Sequence, residues 1–363
     1  MNALNKLLLT KRNQMIALAA LGVLLVILPF AAGALGQAWV RILNITLLYV
    51  MLALGLNVVV GVAGLLDLGY VAFYAVGAYT WSLLASPQLA AYFDPHYPFW
   101  VLLPLGAFLA ALAGLLLGTP VLKLRGDYLA IVTLGFGEIV RILMNNFDKV
   151  GLPWSDERYN ITNGPRGITG IDGLNFFGFK ISKGLDLFGL QITSLQLYYF
   201  VFLAFTILSI IGVSRLQHSR IGRAWQALRE DEIAAKAMGI NTRNVKLAAF
   251  AFGALTGGLA GGLFASMQGF VSPESFGLLE SVMILAMVVL GGMGHIPGVI
   301  LGAVLLSAMP EVIRYAADEN MQQKVFGIVL IAPEVLRNLI FSLAMILIML
   351  FKPAGLWPSP EKK

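Results

Sequence analysis

The sequence contains no cysteine, which excludes disulfides, thiolate metal centres and cysteine nucleophiles. Charge is scarce too: Asp, Glu, Lys and Arg make up 12% of 363 residues, against 58% hydrophobic residues. That leaves too little polar surface to coat a water-soluble globule, and a mean hydropathy of +0.82 places the chain among polytopic membrane proteins. Only three histidines occur, His96, His218 and His295, far apart in sequence. There is no G-x-x-x-x-G-K-[ST] phosphate loop, no G-x-S-x-G elbow and no H-E-x-x-H helix. No catalytic residue, metal site or cofactor is therefore expected in this chain.

What is present is a series of about ten apolar segments, near residues 15–32, 42–60, 68–85, 99–118, 128–145, 195–213, 248–267, 282–290, 296–309 and 339–351. Crossing a hydrocarbon core of ~30 Å takes about 20 helical residues, so most of these qualify as spans. The expected fold is a single all-α polytopic membrane domain of about ten transmembrane or re-entrant helices. Segments eight and nine are too short alone, and Gly291, Gly292, Gly294, Pro297 and Gly298 lie between them. Either a broken, re-entrant pair or one kinked crossing fits. Ala32, Gly33 and Ala34 imitate a signal cleavage site, but the preceding apolar run exceeds a usual signal core and is kept as a span.

The net charge of +6 does not indicate a nucleic-acid partner, because the bases lie in short tracts beside apolar spans. Ten crossings put Lys6, Lys11, Arg12, Lys123, Arg125, residues 215–246, Lys352, Lys362 and Lys363 on one side, opposite the base-poor loops 86–98 and 269–281. The excess of bases marks that side, with both termini, as cytoplasmic, next to anionic lipid.

Residues 215–246 form an ionic island of seven bases and three acids between two apolar spans. Strong helix formers from Ala224, with Gly239 and Asn241 as a stop, predict one short surface helix. It would present Arg223, Arg229, Glu230, Asp231 and Glu232 to a soluble partner. Residues 147–193 are too long for a bare connection and carry Asn163, Gly164, Pro165, Arg166 and Gly167 in a turn-rich run. They read as a small outer cap or docking surface, with a mobile tether as the alternative.

Within the apolar layer, Glu138 and Arg141 share a helical face, with Asn145 one turn beyond. One such ion at mid-membrane costs about 2.5–3.5 kcal/mol, so these groups must face protein or water. A pair locking helices and a polar lining of a solute path both fit. Asp67 follows Gly61 and Gly64 and suits a helix N-terminus, while a pore or ion-binding role stays open. Gly253, Gly257 and Gly261, and again Gly294, Gly298 and Gly302, recur at the four-residue spacing of close helix contacts, within the subunit or at an interface.

Several longer motifs carry a resemblance. GRAWQALREDEIAAKAMGI, NVKLAAFAFGALTGGLAGGLFA, LNVVVGVAGLLDLGYVAFYAVGAY, LRGDYLAIVTLGFGEIVRILMNN, QGFVSPESF, MVVLGGMGHIPG and FKPAGLWP are similar, in the same order, to the permease subunits of ABC importers for branched-chain amino acids. The chain resembles the longer of their two permease types. The resemblance implies a heterodimer with a homologous second permease in the bacterial inner membrane. It also implies two ATPase subunits holding ATP and Mg, and a periplasmic binding protein delivering leucine, isoleucine or valine. Residues 215–246, with Ala234, Ala235 and Gly239 at the family spacing, would be the segment coupled to the ATPases. The family's Glu is replaced by Ile233, with Glu232 one residue earlier, and Arg166 follows Pro165 where Asn is usual. The last departure alters the motif that the resemblance assigns to the binding protein. Related permeases carry urea or short-chain amides. A stand-alone secondary transporter and a membrane enzyme are the competing classes.

Overall fold

The computed structural model describes residues 11–89, 97–121, 124, 126–148, 150–151, 158–176, 179–181, 184–187, 190–316 and isolated positions between 335 and 357. Six of the thirteen residues of the apolar segment 339–351, together with Lys6, His96, Lys123, Arg125, Lys362 and Lys363, lie outside the described residues.

The helices are α1 (Lys11–Leu35), α2 (Gln37–Leu56), α3 (Val71–Leu84), α4 (Phe99–Val121), α5 (Asp127–Asn146), α6 (Ser194–Gln217), α7 (Arg220–Glu230), α8 (Glu232–Ala237), α9 (Thr242–Gln268), α10 (Leu278–Gly291) and α11 (Ile296–Ala316). A π-helical segment, Asn57–Val62, continues α2. Five described stretches are long and apolar enough to cross a membrane: 37–62, 99–121, 194–217, 242–268 and 273–291. Shorter apolar helices cover 19–35, 71–84 and 296–310. The chain is a mostly helical, multi-pass membrane protein. To the expected all-α fold it adds short antiparallel ribbons, all beyond the ends of the helices; one pairs Ile168–Thr169 with Phe270–Val271.

Helix α9 forms the centre, and its glycines explain why. An added Cβ on Gly257 would crowd Phe73 and Tyr70 of the α3 region, and one on Gly258 would lie 2.8 Å from the Gly106 carbonyl of α4. Lipid tails are as apolar as leucine, so close backbone approach and dispersion, rather than water exclusion, hold such helices together. Gly114 and Gly118 of α4 meet Ala254, Phe250 and Leu247 in the same way. These rows pack inside the subunit.

The break after Gly291 is a turn between two antiparallel helices, which excludes the single kinked crossing. Gly291 packs on Gly298 and Gly302 packs on Met287. Gly294 departs from the expected helical row: it sits in the turn at φ 87°, a left-handed conformation glycine adopts without penalty.

Hydrogen bonds define two ends. At one, the Leu356 and Trp357 amides donate to the Leu290 and Gly291 carbonyls at 2.8 and 3.1 Å, beside α7 and α8. At the other, the Asp172 amide donates to the Ala85 carbonyl at 2.6 Å, and Ile171 to Gly269. Helix α1 runs antiparallel to α6, with the Tyr199 hydroxyl on the Leu25 carbonyl at 3.0 Å and Gln196 on that of Pro29. Its Lys11 end therefore lies toward α7 and α8.

Candidate functional site

The ionic island folds as two helices, not the single one expected from Ala224 to Gly239. Asp231 leaves helical geometry at φ −155° and its carboxylate accepts the Ile233 and Ala234 amides at 2.7 and 3.1 Å, starting α8. A side-chain cap that satisfies two otherwise orphaned donors explains the interruption. Gly239 at φ 84° ends α8, with the Ile240 amide returning to the Ala235 carbonyl, and Asn241 caps α9.

The hairpin has two faces. Arg223, Glu230, Asp231, Ile233, Ala234 and Met238 are exposed, whereas Trp225, Leu228 and Ala235 are buried against the membrane helices. The Trp225 indole donates to the Val245 carbonyl at 2.7 Å. Lys246, with its side chain only 6% exposed, pairs with Glu232 at 2.7 Å. Arg229 turns inward and donates through Nη1 to the carbonyl of Gly61. That carbonyl belongs to the last turn of the π-helical segment, where backbone acceptors lack partners and a cation is favoured. Gly64, at φ 71°, must be glycine here, because a Cβ would lie 2.8 Å from Arg229 Cγ.

A second contact extends this link. Asn57, at the start of the π-helical segment and fully buried, accepts the Gly294 amide through Oδ1 at 2.8 Å. The hairpin, the end of α2 and the turn between α10 and α11 are thereby joined.

Asp67 lies in the irregular segment between Val62 and α3. Its Oδ1 accepts the Gly69 amide at 2.9 Å, and Oδ2, also buried, has no protein partner among the described residues. It is not the N-cap of α3, a place taken by Tyr70 without a side-chain bond. Burial raises its carboxyl to about 7, against the lowering effect of the bond from Gly69.

At the other end, Arg141 donates through Nε to Glu138 at 2.9 Å and through Nη1 to Glu274 at 3.1 Å. Thus the expected pair forms on α5 and is tied to the turn before α10. Asn145 is separated from it: it lies at the end of α5, under the 163–167 knuckle, and its carbonyl would lie 2.8 Å from a Cβ on Gly164. In that knuckle Asn163, at φ 61°, donates to the Gly167 carbonyl at 2.9 Å, and Pro165 and Arg166 are exposed.

Residues 38–349 match the family described as branched-chain amino acid transport system / permease component. The chain belongs to that family. The permease is 44% identical over 361 residues to the high-affinity branched-chain amino acid transport system permease protein LivM of Escherichia coli (strain K12), covering 95% of this chain and 75% of the relative. It is also 26% identical to the permease protein BraD of Pseudomonas aeruginosa, over 90% of this chain and 96% of the relative. A third relative, the permease protein LivH of Salmonella typhimurium, is 25% identical over 86% and 92% of the two chains. No solved structure matches the chain.

Sequence reasoning missed several participants of the permease's sites. Trp225 and Lys246 read as ordinary island residues, although an indole and an ammonium beside an apolar span were available signals. Asn57, the one amide in the run LGLNVVVGV, and Glu280, an acid beside the eighth apolar segment, were legible in principle. Their partners, Gly294 and Tyr49, were not.

Proposed function

We propose that the permease is a subunit of an ATP-driven importer of leucine, isoleucine and valine, sharing the translocation path with a homologous second permease. The 44% identity to a branched-chain amino acid permease across 95% of the chain carries this reading. Two ATPase subunits dock on the exposed face of α7 and α8, and ATP and Mg bind in those subunits. The hairpin end is cytoplasmic, with both termini, in a bacterial inner membrane crossed about ten times. Residues 147–193 lie outside as a cap on which a periplasmic binding protein docks, using Asn163, Gly164, Pro165, Arg166 and Gly167.

Energy enters as a difference in ATPase affinity for inward- and outward-facing states. The hairpin's two faces support a division of labour. Arg223, Glu230 and Ala234 meet the ATPase, while Arg229, Glu232 and Ala235 transmit its movement to the spans, with Asp231 and Gly239 setting the ends of the lever. Reconstitution with the cognate ATPases and binding protein tests the reading: leucine uptake must require ATP hydrolysis. Uptake by the chain alone on an ion gradient, or turnover of urea or amides in preference to leucine, overturns it.

A further inference from the structure

A cavity of about 440 Å3 opens between α5 and the start of α10, lined by Glu138, Arg141, Glu274, Leu278, Leu279 and Glu280. Its size falls in the range of small-molecule sites, roughly 300–1,000 Å3. We infer that this cavity is the permease's half of a binding site for a zwitterionic aliphatic α-amino acid on the translocation path. The inference rests on the branched-chain amino acid reading above and deepens it.

Three features point to that ligand. The cavity holds three carboxyl groups and one guanidinium, an anionic surplus that an α-ammonium group would balance. Arg141 spends Nε on Glu138 and Nη1 on Glu274, and Nη2 has no protein partner among the described residues. That edge of the fork is free for an α-carboxylate. Leu278 and Leu279 then supply an apolar wall for a branched side chain, Leu279 being 85% exposed. Glu280 reaches inward, toward the Tyr49 hydroxyl near the middle of α2.

A purely structural ion pair does not account for the exposure of these groups. The side chains of Arg141, Glu138 and Glu274 remain 26%, 33% and 66% accessible. Glu138 lies eight residues, ~12 Å along the axis, from the nearer end of α5 at Asn146, a depth at which lipid tails are costly for an ion. Water in a solute path, or a second permease across it, must cover this face.

The test uses the assembled importer, with ATPases and binding protein, in proteoliposomes, reading leucine import and ATP hydrolysis together. Arg141→Lys keeps the charge but loses the planar fork; Glu280→Gln and Glu274→Gln each remove one ammonium partner. Each is expected to lower leucine imported per ATP at least threefold, with binding-protein-stimulated hydrolysis within twofold of wild type and an unchanged melting temperature. Wild-type import per ATP in Arg141→Lys and Glu280→Gln, or parallel loss of import, hydrolysis and melting temperature in all three, overturns the inference. Failure of the underlying reading is distinct: the unmutated complex itself would show no ATP-dependent leucine import.

Discussion

Arg229 caps Gly61. The guanidinium of a surface hairpin satisfies the terminal carbonyl of a membrane helix, 168 residues earlier in the chain. The same π-helical segment holds the 292–295 turn through Asn57 and Gly294, so the hairpin is linked to two span ends at once.

Replacing Arg229 with Ala removes a charge-assisted bond worth about 1.5–3 kcal/mol and leaves the Gly61 carbonyl without that donor. ATP hydrolysis should persist while leucine uptake falls tenfold or more. Glu230→Arg, on the exposed face, should instead weaken ATPase retention on the purified complex. Uptake and hydrolysis measured together with subunit stoichiometry distinguish the two; equal behaviour of both variants would contradict the division into faces.

Glu232 and the buried Lys246 form a part-buried pair, so removing the acid alone should hurt more than removing both. Glu232→Gln strands an ammonium that is 6% exposed and should cost about 2 kcal/mol or more. The double variant Glu232→Gln/Lys246→Met should recover part of that loss. Melting temperatures of the four forms close the cycle, and strict additivity would refute the pairing.

Asp67 should make stability depend on pH. Its carboxyl is raised from 3.8 to about 7 by burial, so between those values the folded chain holds a proton that the unfolded chain releases. Stability therefore falls as pH rises through this window, by up to ~1.4 kcal/mol per pH unit, and levels off above 7. Asp67→Asn should abolish that slope and melt higher than wild type at pH 8. Parallel melting curves for both proteins from pH 4 to 8 would contradict this.

Gly258 and Gly239 are both glycines for different reasons, and substitution should separate them. Gly258→Val forces a side chain into Ala110 and the Gly106 carbonyl and should prevent stable assembly of α9 with α4. Gly239→Ala meets open space, and only its φ of 84° is unfavourable, costing about 1 kcal/mol. Detergent-extracted yield and melting temperature report both.

The one-dimensional pattern determined the class and the family. Scarce charge and apolar runs near 20 residues admit only a membrane-spanning helical chain, because a backbone without water must bond to itself. Motif order then identified the permease type, and spacing alone placed Glu138 beside Arg141. Gly239, too, was readable as a helix stop, since a left-handed turn is a local requirement.

Tertiary structure decided everything that depends on which ends of helices meet. Asp231 splits the hairpin because its carboxylate finds two amides, a competition between cap and helix that composition does not resolve. Gly294 shares a helical spacing with Gly298 and Gly302 yet lies in a turn, and Arg229 reads as a surface charge yet seals a helix end. Glu274 and Glu280 join Arg141 around one cavity only because the chain returns to the same end of the bundle after more than 130 residues. Long-range contacts of this kind follow from packing of small residues along α9, which periodicity signals but cannot assign to a partner.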